Sequence, residues 1–336
     1  MENQTMVTEF IFSSFTSDPQ LEIFFFFLLL LVYLLTLMGN IIIFTITLLD
    51  HRLHTPMYFF LRNYSFLDIV FTLDFIPKML INLLVKKKTI SFHSCFIQVF
   101  FFFLPGVSEF YLLAVMSLDR YVAVCIPLRY TTIMNSSVCW QLVLGSWLLS
   151  FLLTLPGTIM TSQLVFCGPN IINHFLCDFN PLLQLSCSDT QSMQLFILGS
   201  AIINLLGTLA VSIICYGYII WTVMSIPSTT GRKKAFSTCS AHLMVVTILY
   251  GSCIFTYVSW QCDGSVQSVS HHGQEEDERV QQEEEYQQLC ILSEAQEYEL
   301  GHINPVLHAW LIFEQYKNSD WHNEDNVESP IMQTSG

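Results

Sequence analysis

Phe24-Phe25-Phe26-Phe27-Leu28-Leu29-Leu30-Leu31-Val32-Tyr33-Leu34-Leu35 opens a stretch of 27 residues without a charge, bounded by Glu22 and Asp50. About 20 predominantly apolar residues are enough to cross the hydrocarbon core of a bilayer as one helix. The run is longer than the roughly 7–15-residue core of a secretory signal, and no small-residue cleavage site follows it. It reads as a retained membrane span.

The rest of the chain repeats the pattern. Further charge-free stretches run from Arg129 to Asp178 (48 residues), Asp189 to Arg232 (42) and Lys234 to Asp263 (28). Only 12% of the 336 residues are charged and 52% are hydrophobic, against about 25% charged in a soluble domain. This excludes a water-soluble globular fold and predicts an all-α membrane protein. The expected spans are 24–48, 56–83, 95–124, 138–160, 195–223 and 235–259, after an outer N-terminal segment 1–23. The segment from 161 to 194, with Cys167, Pro169, Cys177, Pro181 and Cys187, reads as a loop. Span two carries Arg62, Asp68 and Asp74, so one of its sides must face protein or water.

The net charge of −14 belongs to one end of the chain. Residues 1–259 hold 11 acidic and 11 basic side chains, whereas 260–336 hold 16 acidic and 2 basic. A neutral membrane body is therefore joined to an acidic tail of the composition that stays solvated and disordered.

Lys and Arg set the orientation. One side holds Arg52, Arg62, Arg120, Arg129, Arg232, Lys233 and Lys234; the other holds Lys78, Lys86, Lys87 and Lys88. The richer set is expected in the cytoplasm, which puts the N-terminus and its glycosylation sequon at Asn3 outside. Cys95, Cys167, Cys177 and Cys187 fall on that outer, oxidising side, where disulfides persist. Four cysteines allow three pairings. Without a Cys-x-x-Cys pair or a His at ligand spacing, no metal site is expected.

Five blocks carry a family likeness. Met116-Ser117-Leu118-Asp119-Arg120-Tyr121-Val122-Ala123-Val124-Cys125 ends span three. Pro56-Met57-Tyr58-Phe59-Phe60-Leu61 and Ser65-Phe66-Leu67-Asp68 lie in span two. Lys234-Ala235-Phe236-Ser237-Thr238-Cys239-Ser240-Ala241-His242-Leu243 and Tyr250-Gly251 lie in span six. The outer loop adds Phe166-Cys167-Gly168-Pro169-Asn170, Cys177-Asp178 and Cys187-Ser188-Asp189. In this order and spacing they closely resemble vertebrate olfactory receptors, which are rhodopsin-like G-protein-coupled receptors. The likeness covers about residues 5–258 and implies a rhodopsin-like seven-helix bundle.

The resemblance also implies roles. Asp119, Arg120 and Tyr121, with Tyr216 of span five, would form the switch that couples to a G protein. An arginine there is always charged and offers five donors in a fixed fork. Asp68 with Asn40 would be an interior polar pair able to hold sodium, while Asp74 and Glu109 would face the watery interior. Ligand contacts are expected between spans three, five and six: Phe102, Phe103, Gly106, Val107, Phe110, Ser200, Asn204, Tyr250, Cys253 and Tyr257. A set so poor in charge suits small, neutral, volatile molecules. Family pattern pairs Cys95 with Cys177 and Cys167 with Cys187.

The chain departs from the family at two places. Cys215 precedes Tyr216 where a Ser is usual. After Tyr257-Val258 the expected seventh span is not recognisable: Glu275-Glu276-Asp277-Glu278 and Glu283-Glu284-Glu285 stand in its place. Each such residue costs about 2.5–3.5 kcal/mol at the bilayer centre. Ile303-Asn304-Pro305 echoes the missing helix only by coincidence.

The expected function is that of an odorant receptor at the plasma membrane. Its partners would be a small volatile odorant, a heterotrimeric stimulatory G protein and the lipid bilayer. No cofactor, nucleic acid or enzymatic activity is expected, since there is no inverted repeat, intramembrane nucleophile–base pair, zinc motif or phosphate loop. The alternative is a truncated or frame-altered product that lacks the seventh helix and cannot signal, either retained in the endoplasmic reticulum by quality control or serving as a nonfunctional partner. On either reading the expressed chain remains in the membrane pellet through alkaline carbonate washing. Recovery from detergent-free cytosol overturns the membrane assignment.

Overall fold

The computed structural model describes residues 7–13, 19–167, 170–172, 174–226, 228–229, 232, 239–240 and 242–253. Asn3, Tyr257 and the acidic tail 260–336 lie outside them. The chain divides into two compact units, Met1–Pro227 and Ser228–Gly336.

The first unit begins with strand β1 (Glu9–Phe12) and continues as helices α1 (Pro19–Leu49) and α2 (Pro56–Leu84). Strand β2 (Thr89–Ser91) leads into α3 (Phe92–Cys125), and a short helix α4 (Tyr130–Ile133) precedes α5 (Ser136–Ser162). Then come β3 (Ile171–Ile172), the short helix α6 (Phe179–Gln184) and α7 (Gln191–Met224). In the second unit the described helix is α8 (His242–Cys253).

Local chemistry explains where the helices start. Proline at a first helical position has its φ already set and lacks an amide that would go unpaired, so α1 begins at Pro19 and α2 at Pro56. The expected start of span one at 24 is five residues late. Ser91 caps α3 by accepting from the Ser94 amide (3.2 Å). Asn135 caps α5 by accepting from the Val138 amide (3.0 Å), which places that start at 136 rather than 138.

α1, α3, α5 and α7 are each long and apolar enough to cross a membrane. Expected spans two and six do not join that group among the described residues. α2 has the length, 29 residues, but Arg62, Asp68, Asp74 and Lys78 keep it out of that group. Of expected span six, the described helix is the 12-residue α8.

The spanning helices are inside-out relative to those of soluble proteins. In α1 the buried positions are Thr36, Asn40, Ile43 and Thr47, at helical spacing along one face. Phe24, Phe27, Leu31, Leu35, Met38 and Ile42 are exposed. α5 buries a stripe of Ser146, Ser150, Thr154, Gly157, Thr158 and Thr161, while α7 buries Asn204, Thr208 and Ser212. Lipid is as apolar as Leu, so helices associate through small and hydroxyl-bearing residues. Those hydroxyls donate back to carbonyls one turn earlier, as Ser150 does to Ser146 (2.8 Å) and Thr161 to Gly157 (2.8 Å), leaving few polar groups to satisfy elsewhere.

α3 is the axis of the first unit. It packs on α2, α5 and α7, whereas α1 packs mainly on α2. Half of α3's most apolar stretch is buried but only 6% of α1's, which separates the central helix from the lipid-facing one.

Beyond one end of the helices the chain builds a cap that the all-α reading did not include. β1 lies between β2 and β3, antiparallel to the first and parallel to the second. Beneath the sheet Phe10, Phe12, Ile90, Phe96, Ile172, Phe179 and Leu182 form one buried cluster around the Cys95–Cys177 disulfide. Cys167 and Cys187 form a second disulfide. The supposed loop after α5 thus holds a strand and a helix, and the N-terminal segment holds a strand. Gly157 of α5 admits the Phe179 ring: a Cβ there would sit 3.4 Å from its tip.

The two disulfides close segments of different length, with separations of 82 and 20 residues. On the chain-entropy account the longer closure contributes about 1.3 kcal/mol more. Cys95→Ser should lower the melting temperature of the detergent-solubilised protein more than Cys167→Ser does. A thermal-shift measurement in which the two variants reverse order contradicts that account.

Candidate functional site

Three polar or aromatic groups lie along α3. At its C-terminal end Asp119 is fully buried and Arg120 is 7% exposed. Arg120 Nε and Nη2 both donate to Asp119 Oδ2, at 3.2 and 2.7 Å. The other carboxylate oxygen, Oδ1, accepts from the Tyr130 hydroxyl at 2.8 Å. Burial first, and then the adjacent Asp119 carboxylate, hold the Tyr130 phenol well above its usual range, so it stays a neutral donor. Both faces of the Asp119 carboxylate are therefore engaged, and the arginine is held by a carboxylate that is itself held.

Tyr130 was not among the expected switch residues. Pro127 ends α3 and a 3₁₀ turn, Pro127–Arg129, brings the chain back so that Tyr130 opens α4 within reach of Asp119. Ten residues separate the partners in sequence, and only this reversal joins them. In the same turn Leu128 is 98% exposed, an apolar side chain without cover on a loop.

Tyr121 and Tyr216 border the α3–α7 contact. Tyr121 lies 5.7 Å from the Tyr218 ring, and Tyr216 is buried. The seam between the two helices is polar, with Ser117 Oγ donating to Ser212 Oγ (3.2 Å) and Cys125 Sγ 3.2 Å from Thr222 Oγ1.

Midway along α3, Glu109 meets α2. Asp68 is a close neighbour of both Glu109 and Asn40, and Tyr64 donates to Glu109 Oε2 at 3.3 Å. All four residues are buried. The expected pair of Asn40 and Asp68 thus gains Glu109, which the sequence offered only as an interior carboxylate. Asp68 Oδ2 and Glu109 Oε1 have no hydrogen-bond partner among the described residues. Two neighbouring carboxylates in a low-dielectric interior favour taking up a proton or a cation. The donor set is all hard oxygen, which fits a small hard cation rather than a transition metal. Among the described residues no group of three or more His, Cys, Asp or Glu side chains converges.

Toward the other end of α3 the expected ligand residues diverge. Phe102 packs against Phe71 (5.0 Å between ring centres) and Phe75 (5.5 Å) of α2. Phe103 stacks on Phe179 of α6 at 4.6 Å and joins the apolar cluster of the cap. Gly106 keeps a clear approach, its nearest neighbour being the Phe71 ring. On α7, Ser200 turns its hydroxyl to the Ile197 carbonyl (2.8 Å). Asn204 is 6% exposed and its Oδ1 has no partner among the described residues. Tyr250 is buried and Cys253 half-buried on α8 of the second unit.

The olfactory receptor family model matches residues 29–272. Olfactory receptor 6C6 of Homo sapiens is 52% identical over 258 residues, covering 77% of this chain and 82% of that receptor. Olfactory receptor 6C1 of Homo sapiens is 53% identical over 77% of this chain and 83% of its own. Olfactory receptor 6E1 of Mus musculus is 53% identical over 77% and 82%.

The carboxylate pair generates a prediction. Replacing sodium by choline at constant ionic strength should lower the melting temperature of the solubilised protein. Asp68→Asn should abolish that dependence and Glu109→Gln should weaken it. An equal response to sodium in all three chains eliminates the cation site.

Proposed function

Because the chain belongs to the olfactory receptor family of G-protein-coupled receptors, we propose that it binds small, mostly apolar odorants and activates a stimulatory G protein. It does so at the plasma membrane, with its N-terminus outside. The family is one of receptors, not enzymes, and the helices make the chain a multi-pass membrane protein.

The observation that carries this reading is the layout of α3. One continuous helix of 34 residues bears the aromatic wall near one end and the held arginine at the other. From Phe103 to Arg120 is about 25 Å of helix axis. Pro105, two residues past Phe103, donates no amide to the helix ladder; from Gly106 to Arg120 no further proline interrupts α3, so displacement of that stretch at Val107 and Phe110 would reach the arginine.

The odorant would lie against Phe103, Val107 and Phe110, with Gly106 leaving room and Asn204 and Ser200 supplying polar contact from α7. A wall of this kind gains affinity from apolar burial, about 25 cal/mol per Å², and specificity from its few polar groups. Disulfides Cys95–Cys177 and Cys167–Cys187 fix the cap above it, on the side where Asn3 would carry its glycan.

At the cytoplasmic end, breaking the Arg120–Asp119 pair would free a fork of donors for a partner, and Tyr216 would meet the freed arginine. Leu128, exposed in the next turn, supplies an apolar knob beside that fork. The Asp68–Glu109–Asn40 cluster lies between the two ends, where a sodium ion would hold α2 against α3.

A buried hydrogen bond to a charged group contributes about 1.5–3 kcal/mol, so losing it shifts a two-state switch by tenfold or more. Tyr130→Phe should raise odorant-independent cAMP several-fold at equal surface expression. Arg120→Ala and Leu128→Asp should each abolish the odorant response. A response that survives Arg120→Ala is incompatible with this mechanism.

A further inference from the structure

β1 is held in place differently from the rest of the cap. Its neighbours are fixed covalently: β2 runs directly into α3 and Cys95, and β3 lies between Cys167 and Cys177. β1 contains no cysteine. It is held without a covalent cross-link, by the ladder to β2 and β3, by flanking main-chain bonds from the Phe12 amide to Lys88 O (2.8 Å), Ile11 to Asn170 O (2.8 Å), Ser13 to Ile172 O (3.0 Å) and Phe92 to Thr8 O (3.0 Å), and by the burial of Phe10 and Phe12. Asn170 Nδ2 also donates to Glu9 O, and the largely exposed Lys87–Glu9 ion pair (3.0 Å) adds little. A strand of four residues near the chain terminus has few main-chain bonds to break, and its local opening is opposed chiefly by the burial of Phe10 and Phe12.

What the strand covers is continuous with the aromatic wall. Phe10 is fully buried, 5.5 Å from Phe166 and 5.9 Å from Phe92. Phe92 contacts Phe96 (4.8 Å), and Phe96, Phe103 and Phe179 belong to the same cluster. An aromatic chain thus runs from a non-covalently seated strand to the ring stacked on Phe179.

We propose that β1 is the removable wall of the outer cavity, and that Phe10, acting through Phe166 and Phe92, is the positioning residue that admits small apolar molecules to the Phe103 wall from the aqueous side. The inference rests on the ligand-binding reading above and adds the element that controls entry. Seated, the strand closes the cluster against water. Unseated, it opens a path without breaking either disulfide.

The test uses the full chain in lipid nanodiscs and the rate at which a small maleimide labels Phe103→Cys, corrected for labelling of the parent chain's own thiols. Labelling should be slow in the Phe103→Cys chain, about tenfold faster with Phe10→Ala added, and near the original rate with Phe10→Leu. A second variant pins the strand. Ile11 and Thr89 are Cα partners, and Ile11 sends its amide to Asn170 rather than to β2, so their Cα atoms stand close enough for a disulfide. Oxidised Ile11→Cys/Thr89→Cys should slow labelling about tenfold.

Equal rates in the unpinned and pinned chains overturn the proposal, and the pinned chain alone decides if Phe10→Ala does not fold. Neither odorant nor G protein enters the measurement, so a chain that fails to signal still answers it. Unchanged rates beside an intact odorant response reject the strand's role and leave the receptor reading standing.

Discussion

Hydrocarbon as a solvent removes the force that ordinarily drives side chains inward, because a leucine gains nothing by leaving lipid for protein. What remains is close packing of small residues and the need to satisfy every polar group internally. The buried stripes of α1, α5 and α7 follow from that constraint. Thr36, Asn40 and Thr47 turn inward while Phe24, Leu31 and Ile42 turn outward. Ser, Thr and Gly line the contacts because they let backbones approach, and their hydroxyls close on their own helix.

Where the chain leaves the bilayer the rule reverses. The cap buries Phe10, Phe12, Phe96 and Phe179 as a soluble core does, driven by water. A core that small rarely supplies enough stability by itself, and disulfides make up the difference in small extracellular domains. Cys95 and Cys177 are both fully buried within the cluster, so the covalent link and the apolar core coincide. The half-buried Lys88–Glu22 pair (2.6 Å) ties the same loop to the start of α1. One chain therefore folds by two solvent logics, and α3 belongs to both.

α3 carries charge where lipid forbids it, and each charge is matched locally. Arg120 is answered by Asp119, and Asp119 by Tyr130. Glu109 is answered by Tyr64, and with Asp68 as its neighbour it leaves oxygens that call for a cation or a proton. Charges held this way are suited to switching, because an interaction that is strong in a low dielectric is also costly to rearrange halfway. That favours two discrete arrangements over a continuum.

Sequence alone determined that the chain crosses a membrane, because charge-free runs longer than a bilayer is thick leave no alternative. It also determined the Asp119–Arg120 pair, whose members are neighbours, and the family to which the motifs belong. Helix starts were legible to within a few residues, the differences being the prolines and caps at Pro19, Ser91 and Asn135. The cap was not legible. Its strands are two to four residues long, too short for alternation to show, and they pair segments about 80 and 160 residues apart in the chain. Nor was the reach of Tyr130 to Asp119, or of Glu109 to Asp68, which depend on a chain reversal and on the rotation of α3 against α2. Solvent preference is written residue by residue and can be read along the chain, whereas a contact between distant side chains exists only once the helices have fixed their rotation and separation.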